Sequence, residues 1–196
     1  MRKAIHDTFL RLYAENKPYE DLATQKALSY FNRLLAPPLR RRSPYPAGLG
    51  PEAPEAKGAS PSPTGEEKPY EITEVQETEN YKTTNYDAKL SNGETDIKIE
   101  VKTDHRSRVT GNFFIEFSQY GKASGVATTE ADYYVINDTV DYYLISVQDI
   151  GEILQVMDEE DTLKVISVRS PHCKNMVTKG WLMKKSDVLK FATVLA

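Results

Sequence analysis

The chain is short of the residues that several protein classes require. It holds a single cysteine, Cys173, in 196 residues, which excludes an internal disulfide framework and any Cys-rich zinc site. No apolar run approaches the ~20 residues that span a bilayer. The opening Met1-Arg2-Lys3-Ala4-Ile5-His6-Asp7 lacks the apolar stretch of a signal peptide. An intracellular, cytoplasmic protein with no membrane partner is therefore expected. A strong charge excess is missing too: 25 basic residues face 29 acidic ones, for a formal net charge of −4. That balance argues against a protein that coats nucleic acid by bulk charge. It leaves room for an enzyme that holds a polyanion through a metal ion and a local basic patch. Hydrophobic residues make up 39% of the chain, below the ~45–50% of ordinary globular domains, so part of it is expected to lie outside any core.

That part is easily found. Nine of the eleven prolines and four of the ten glycines fall between residues 36 and 69. With so few large apolar side chains, such a stretch cannot offset the entropy of ordering, and it reads as a Pro/Gly/Ser-rich flexible linker. Residues 1–35 before it read as a helical segment. Ile5, Phe9, Leu12 and Tyr13 recur at helical spacing, and a second helix after Pro18 carries Leu28, Phe31 and Leu35 with Ala23 and Ala27 alongside. Residues 70–196 switch to period two. Strands are predicted at Tyr70–Val75, on both sides of Asn92-Gly93, and at Phe113–Phe117, Tyr133–Ile136 and Tyr142–Ser146, with helices over Val147–Val156 and Ser186–Leu195. The fold class is α/β: a central mixed sheet of four to five strands flanked by helices.

Asn92-Gly93 is the strongest local signal, a two-residue hairpin turn. With those two residues as the loop, Ser91 faces Glu94, Asp87 faces Lys98, and Asp87 and Glu100 become diagonal neighbours on one face. Diagonal Cα separations of ~7–8 Å allow two carboxylates to converge on one ion. On the second strand Ile97, Ile99 and Val101 point one way, and Lys98, Glu100 and Lys102 the other. Hard oxygen ligands suit Mg²⁺ or Mn²⁺. Such an ion activates water and stabilises charge on phosphoryl oxygens. An adjacent lysine can orient or deprotonate the water, or neutralise the transition state.

Asp87 followed by Ile99-Glu100-Val101-Lys102 resembles the signature of the PD-(D/E)xK nuclease superfamily, without its proline, since position 86 is Tyr. The similarity continues through Thr110-Gly111-Asn112-Phe113-Phe114-Ile115-Glu116, Gly121-Lys122-Ala123-Ser124-Gly125-Val126 and Ala131-Asp132-Tyr133-Tyr134-Val135. It is similar to phage-encoded and Holliday-junction-resolvase-like members. The resemblance implies a restriction-endonuclease-like core and a metal-dependent nuclease acting on DNA in recombination, repair or phage DNA processing. It makes Asp87 and Glu100 metal ligands, adds the Val101 carbonyl, and makes Lys102 the catalytic lysine. Many members also draw a glutamate from an N-terminal helix, for which Glu20 is the best candidate. Lys122, Ser124 and Gly125 would contact DNA. Glu116 is a further candidate ligand: if Phe113, Ile115 and Phe117 point to the core, it faces the opposite side.

Each of these has a plainer reading. Glu100 and Lys102 can be a solvated strand face, Lys122-Ala123-Ser124-Gly125 a connecting turn, and Tyr133, Tyr134, Tyr142 and Tyr143 strand packing. A catalytically inert module that binds nucleic acid or protein on the same fold is the alternative from another class. Within the nuclease reading, a branched-DNA resolvase implies a homodimer with two sites, whereas a general nuclease does not. RNA stays open as a substrate.

Overall fold

Strands in this chain form where apolar and polar residues alternate, and their apolar sides decide how the layers stack. The computed structural model describes residues 2–35, 68–75, 85–169 and 176–196, with side chains of the first stretch described from Glu15 to Leu34. In chain order the elements are α1 (Arg2–Leu35), β1 (Glu71–Val75), β2 (Ala88–Ser91), β3 (Asp96–Thr103), α2 (Ser107–Thr110), β4 (Asn112–Gln119), β5 (Lys122–Ala123), β6 (Tyr133–Asn137), β7 (Tyr142–Ser146), α3 (Val147–Glu159), β8 (Lys164–Arg169), β9 (Val177–Lys184), α4 (Lys185–Val188) and β10 (Thr193–Leu195). A 3-10 turn, Gly125–Ala127, lies between β5 and β6.

The fold is α/β with a mixed sheet, ordered β1-β2-β3-β6-β7-β10. Strands β1, β2 and β3 form an antiparallel meander, β6 runs parallel to β3, and β7 and β10 add antiparallel. Six strands exceed the four to five expected, and a second, antiparallel sheet, β5-β4-β9-β8, accompanies them. Two causes account for the difference. The C-terminal helix expected over Ser186–Leu195 is a single turn, after which β-branched Thr193 and Val194 join Leu195 in pairing with β7. Leu195 is buried on the α1 side of the sheet. Strand β8 is an edge strand exposed along most of its length, so its sequence carries little alternation to read.

One face of the six-stranded sheet, including Leu90, Ile99, Val101, Val135 and Leu144, packs on Ala23, Ala27 and Phe31 of α1. The other face, with Tyr134, Ile136, Tyr143 and Ile145, packs on Phe113, Ile115 and Met183 of the second sheet and on Ile150 and Ile153 of α3. The two helices expected before residue 36 are one helix with Pro18 inside it. An internal proline costs about 3 kcal/mol. Burial of the α1 stripe on the sheet offsets that cost, helped by two alanines that let the backbones approach. Asn32 then ties α1 to β1, accepting from the Tyr70 N–H at 2.6 Å and donating to its carbonyl at 3.0 Å. The apolar face expected at Ile5, Phe9, Leu12 and Tyr13, most of the expected linker, and Cys173 lie outside the described side chains. Among the described residues no helix is long and apolar enough to cross a membrane.

The β2–β3 hairpin departs from the expected register. Its loop holds four residues, Asn92 to Thr95, and Ser91 faces Asp96 while Lys89 faces Lys98. The Asn92 side chain is the reason: its Oδ1 accepts from the N–H groups of Glu94 (3.0 Å) and Thr95 (2.7 Å), an Asx-type closure that lengthens the turn. The slip is two residues, so every side chain keeps its face. The facing lysines are relieved by Asp96 at 3.7 Å from Lys89 and Glu130 at 3.4 Å from Lys98.

Phe31 is the test of whether α1 belongs to this core, with its ring 5.3 Å from that of Tyr133 and 6.1 Å from that of Tyr70. Phe31→Ala should lower unfolding free energy by ~3–5 kcal/mol in a denaturant titration. A loss below ~1 kcal/mol would mean that the helix does not pack there in solution.

Candidate active site

The two-residue slip brings Asp87 alongside Glu100 instead of diagonal to it. Asp87 precedes β2, donates its N–H to the Ile99 carbonyl at 2.8 Å, and accepts the Val101 N–H on Oδ2 at 2.7 Å. Its backbone and carboxylate thus bracket Glu100. The chain leading into Asp87 is held by the Asn85 carbonyl, which accepts from the Glu130 N–H and the Thr129 hydroxyl, each at 3.0 Å. In a strand the N–H and C=O of one residue leave on the same edge, so the Val101 carbonyl emerges on the Asp87 side.

Glu100 sits in mid-strand between β2 and β6 and is 12% exposed; Lys102, two residues on and on the same face, reaches back with Nζ 2.7 Å from Glu100 Oε1. The strand exit below Lys102 is fixed. Asp104 donates its N–H to the Asn137 carbonyl (2.8 Å), and its carboxylate accepts from the N–H groups of Arg106, Ser107 and Phe114.

Glu20 arrives from α1. It lies three and seven residues before Ala23 and Ala27, on the stripe that faces the sheet. The helix is anchored at the β3 exit by Asn16 Oδ1, 3.4 Å from His105 Nε2, and by the edge-on contact of Tyr19 with His105. Glu100 is ion-paired to Lys102, and the charges of this pair act on both Asp87 and Glu20. Burial, then Glu100, push the Asp87 carboxyl up to about 7 against the pull of Lys102 and the Val101 N–H. Burial raises Glu20 as well, opposed by Lys17 and Lys102. Burial would lower Lys102, but Glu100 and Asp87 outweigh it and hold the ammonium above its ordinary value. Tyr134, the neighbour of Glu100 on β6, has its phenol raised by burial and then by Glu100.

No family model matches the chain, and no curated protein or solved structure matches it. The chemistry of the site therefore stands on its own residues. Asp87, Glu100, Glu20 and the Val101 carbonyl are hard oxygen donors, and crowded negative charge is what a divalent cation relieves. Among the described residues no group of three or more His, Cys, Asp or Glu side chains is placed to hold a metal ion as the side chains stand. Oε1 of Glu100 is turned to Lys102, and Oδ2 of Asp87 to a backbone N–H. The donor set suits Mg²⁺ or Mn²⁺ in type, with Oδ1 of Asp87 accepting no hydrogen bond among the described residues.

The other sequence candidates gather elsewhere. Phe113 and Ile115 point into the core as expected, but their strand belongs to the second sheet. Glu116 there accepts the Ser124 hydroxyl on Oε1 at 2.6 Å. Gly125 has φ +54°, and a Cβ on it would press into the Glu116 backbone carbonyl, so glycine is required by the fold at that point. Lys122 is exposed on β5. These four residues form one local group around the β4–β5 hairpin. No hydrogen bond or ion pair among the described residues joins them to Asp87, Glu100 or Lys102. Tyr134 packs in the core as expected; its further place beside Glu100 depends on the non-local β3–β6 pairing, which no local pattern announces.

The raised Asp87 carboxyl has a consequence for stability. A carboxyl that binds its proton more tightly when folded stabilises the fold below its unfolded value of 3.8, and that contribution is lost as pH rises through about 7. In chelator, wild type should lose stability relative to Asp87→Asn across that window, as read by denaturant midpoints at several pH values. Parallel pH profiles for the two proteins would contradict the crowding of charge around Asp87.

Proposed function

We propose that the chain is a metal-dependent nuclease that hydrolyses phosphodiester bonds in DNA on a restriction-endonuclease-like core. One observation supports the reading: Asp87, just ahead of β2, accepts the Val101 N–H beside Glu100, which is ion-paired to Lys102, in the pattern Asp87 … Glu100-Val101-Lys102. An isolated Glu-x-Lys occurs by chance in many strands. Its link to Asp87 through the Val101 N–H is harder to explain as a solvated face.

In this reading Asp87, Glu100 and the Val101 carbonyl would hold a Mg²⁺ or Mn²⁺ ion, and Glu20 would add a further carboxylate. The ion, when bound, polarises a phosphoryl oxygen and lowers the pKa of a coordinated water. The residues themselves do the positioning. Asp87 is fixed by its bond to the Val101 N–H, so its free oxygen keeps one direction without substrate. Lys102, ion-paired and protonated beside Glu100, acts as donor and positive charge toward the phosphate and the attacking water. Hydrolysis forms a bond from the water oxygen to phosphorus and breaks the bond to the leaving alcohol oxygen, which takes up a proton. A branched-DNA substrate would need two such sites in a homodimer, and a linear one would not.

Labelled four-way junction, duplex, single-stranded DNA and RNA, each with Mg²⁺, Mn²⁺ or EDTA, test the proposal. Metal-dependent cutting of DNA is expected, absent from the Glu100→Ala protein run as control for contaminating nuclease. Lys102→Ala should lose about 10²–10⁴-fold in rate while keeping its affinity for the metal. Binding of DNA without cutting by the wild type would leave the inert binding module in place of the enzyme.

A further inference from the structure

Tyr134 lacks a hydrogen-bond partner in a place where burial demands one. The residue is 2% exposed, and among the described residues its hydroxyl is a buried side-chain polar atom with no partner. Buried phenols ordinarily find one, since an unmet hydroxyl costs about 1–3 kcal/mol. Its position is specific. Tyr134 stands next to Glu100 in the parallel β3–β6 register, on the sheet face that carries Glu100 and Lys102. The Thr129 hydroxyl lies near enough to act on the phenol without forming a hydrogen bond to it, and the other groups around it are engaged elsewhere. Lys102 is on Glu100, Asp87 Oδ2 holds the Val101 N–H, and the Thr129 hydroxyl donates to the Asn85 carbonyl while accepting from the Ala131 N–H at 3.1 Å. A neutral donor therefore sits in the acid–lysine cluster with its hydrogen bond unspent.

We infer that Tyr134 is a further catalytic residue, whose hydroxyl donates a hydrogen bond to a non-bridging oxygen of the scissile phosphodiester beside Lys102. The inference rests on the nuclease reading and deepens it. A donor held in a water-poor site before substrate arrives needs no reorganisation as charge builds on the phosphoryl oxygens. It keeps its own proton throughout. Tyr133, the preceding residue, points to the opposite face against Phe31 and supplies a control of the same residue type on the same strand.

The test measures kcat and KM for wild type, Tyr134→Phe and Tyr133→Phe on the DNA that wild type cuts fastest with Mg²⁺. Thermal midpoints in EDTA and DNA affinity in Ca²⁺ accompany the kinetics. Tyr134→Phe should lose about 10²-fold in kcat, with KM and DNA affinity changed by less than about 2-fold. Its midpoint should stay level or rise, because the unmet hydroxyl is gone. Tyr133→Phe should keep wild-type kcat. Equal kcat for Tyr134→Phe and wild type would overturn the inference and leave the nuclease standing. A lowered midpoint with matching losses in rate and affinity would make Tyr134 a structural residue and overturn it as well. If wild type cuts none of the substrates, the nuclease reading itself fails and the donor role falls with it.

Discussion

The bond from the Val101 N–H to Asp87 Oδ2 organises the candidate site. Asp87 lies before the first paired residue of β2, where nothing in the regular ladder would fix a side chain. By reaching across to Val101, its carboxylate locks the hairpin end onto β3 and sets itself beside Glu100. A carboxylate in that position is costly: burial and a neighbouring acid both disfavour its charge, and one backbone N–H with one lysine answers them only in part. Packing on the opposite face sustains the arrangement. Ile99 and Val101 are buried against Ala23, Ala27 and Phe31 of α1. Charge gathered at a cost, on a frame that cannot easily relax, is characteristic of functional sites.

The frame behind the cluster is tied by a fully buried carboxylate with the opposite character. Asp138, in the β6–β7 turn, is 1% exposed. The N–H groups of Val140 and Asp141 and Lys185 Nζ at 2.6 Å hold its carboxyl down at about 2 in spite of burial. Lys185 also lies 4.6 Å from the centre of the Tyr143 ring. Because Lys185 directly follows β9, this contact fastens the second sheet to the turn that ends β6, the strand of Tyr134. The fully buried acid, Asp138, is answered and serves structure; the half-buried Asp87 is under-answered.

Much of this was legible in the chain, and the failures have physical causes. The alternation Ile97, Ile99, Val101 against Lys98, Glu100, Lys102 assigned the faces of β3 correctly, and it survived a register error because strand faces repeat every two residues. The error came from Asn92, read as a turn residue for its backbone when its side-chain oxygen closes a longer loop. The packing of α1 on the sheet through Ala23, Ala27 and Phe31 agrees with the helical spacing of those residues. Glu116 shows the limit of local reading: its neighbours Phe113 and Ile115 do point inward, but alternation does not say to which sheet a strand belongs. Tyr134 shows the same limit from the other side, since a tyrosine within an apolar strand gives no sign that a distant strand will place Glu100 beside it. The short C-terminal strand was decided by pairing with β7, which outweighed the helical spacing of Ser186–Leu195.

The most direct test of this account is to locate manganese by its anomalous scattering in crystals of the wild-type chain. The account predicts a Mn²⁺ peak bound by Asp87, Glu100 and the Val101 carbonyl, lost in Asp87→Ala. Crystals that show no manganese at this cluster, or show it only at a separate acidic stretch such as Asp158–Asp161, would contradict it.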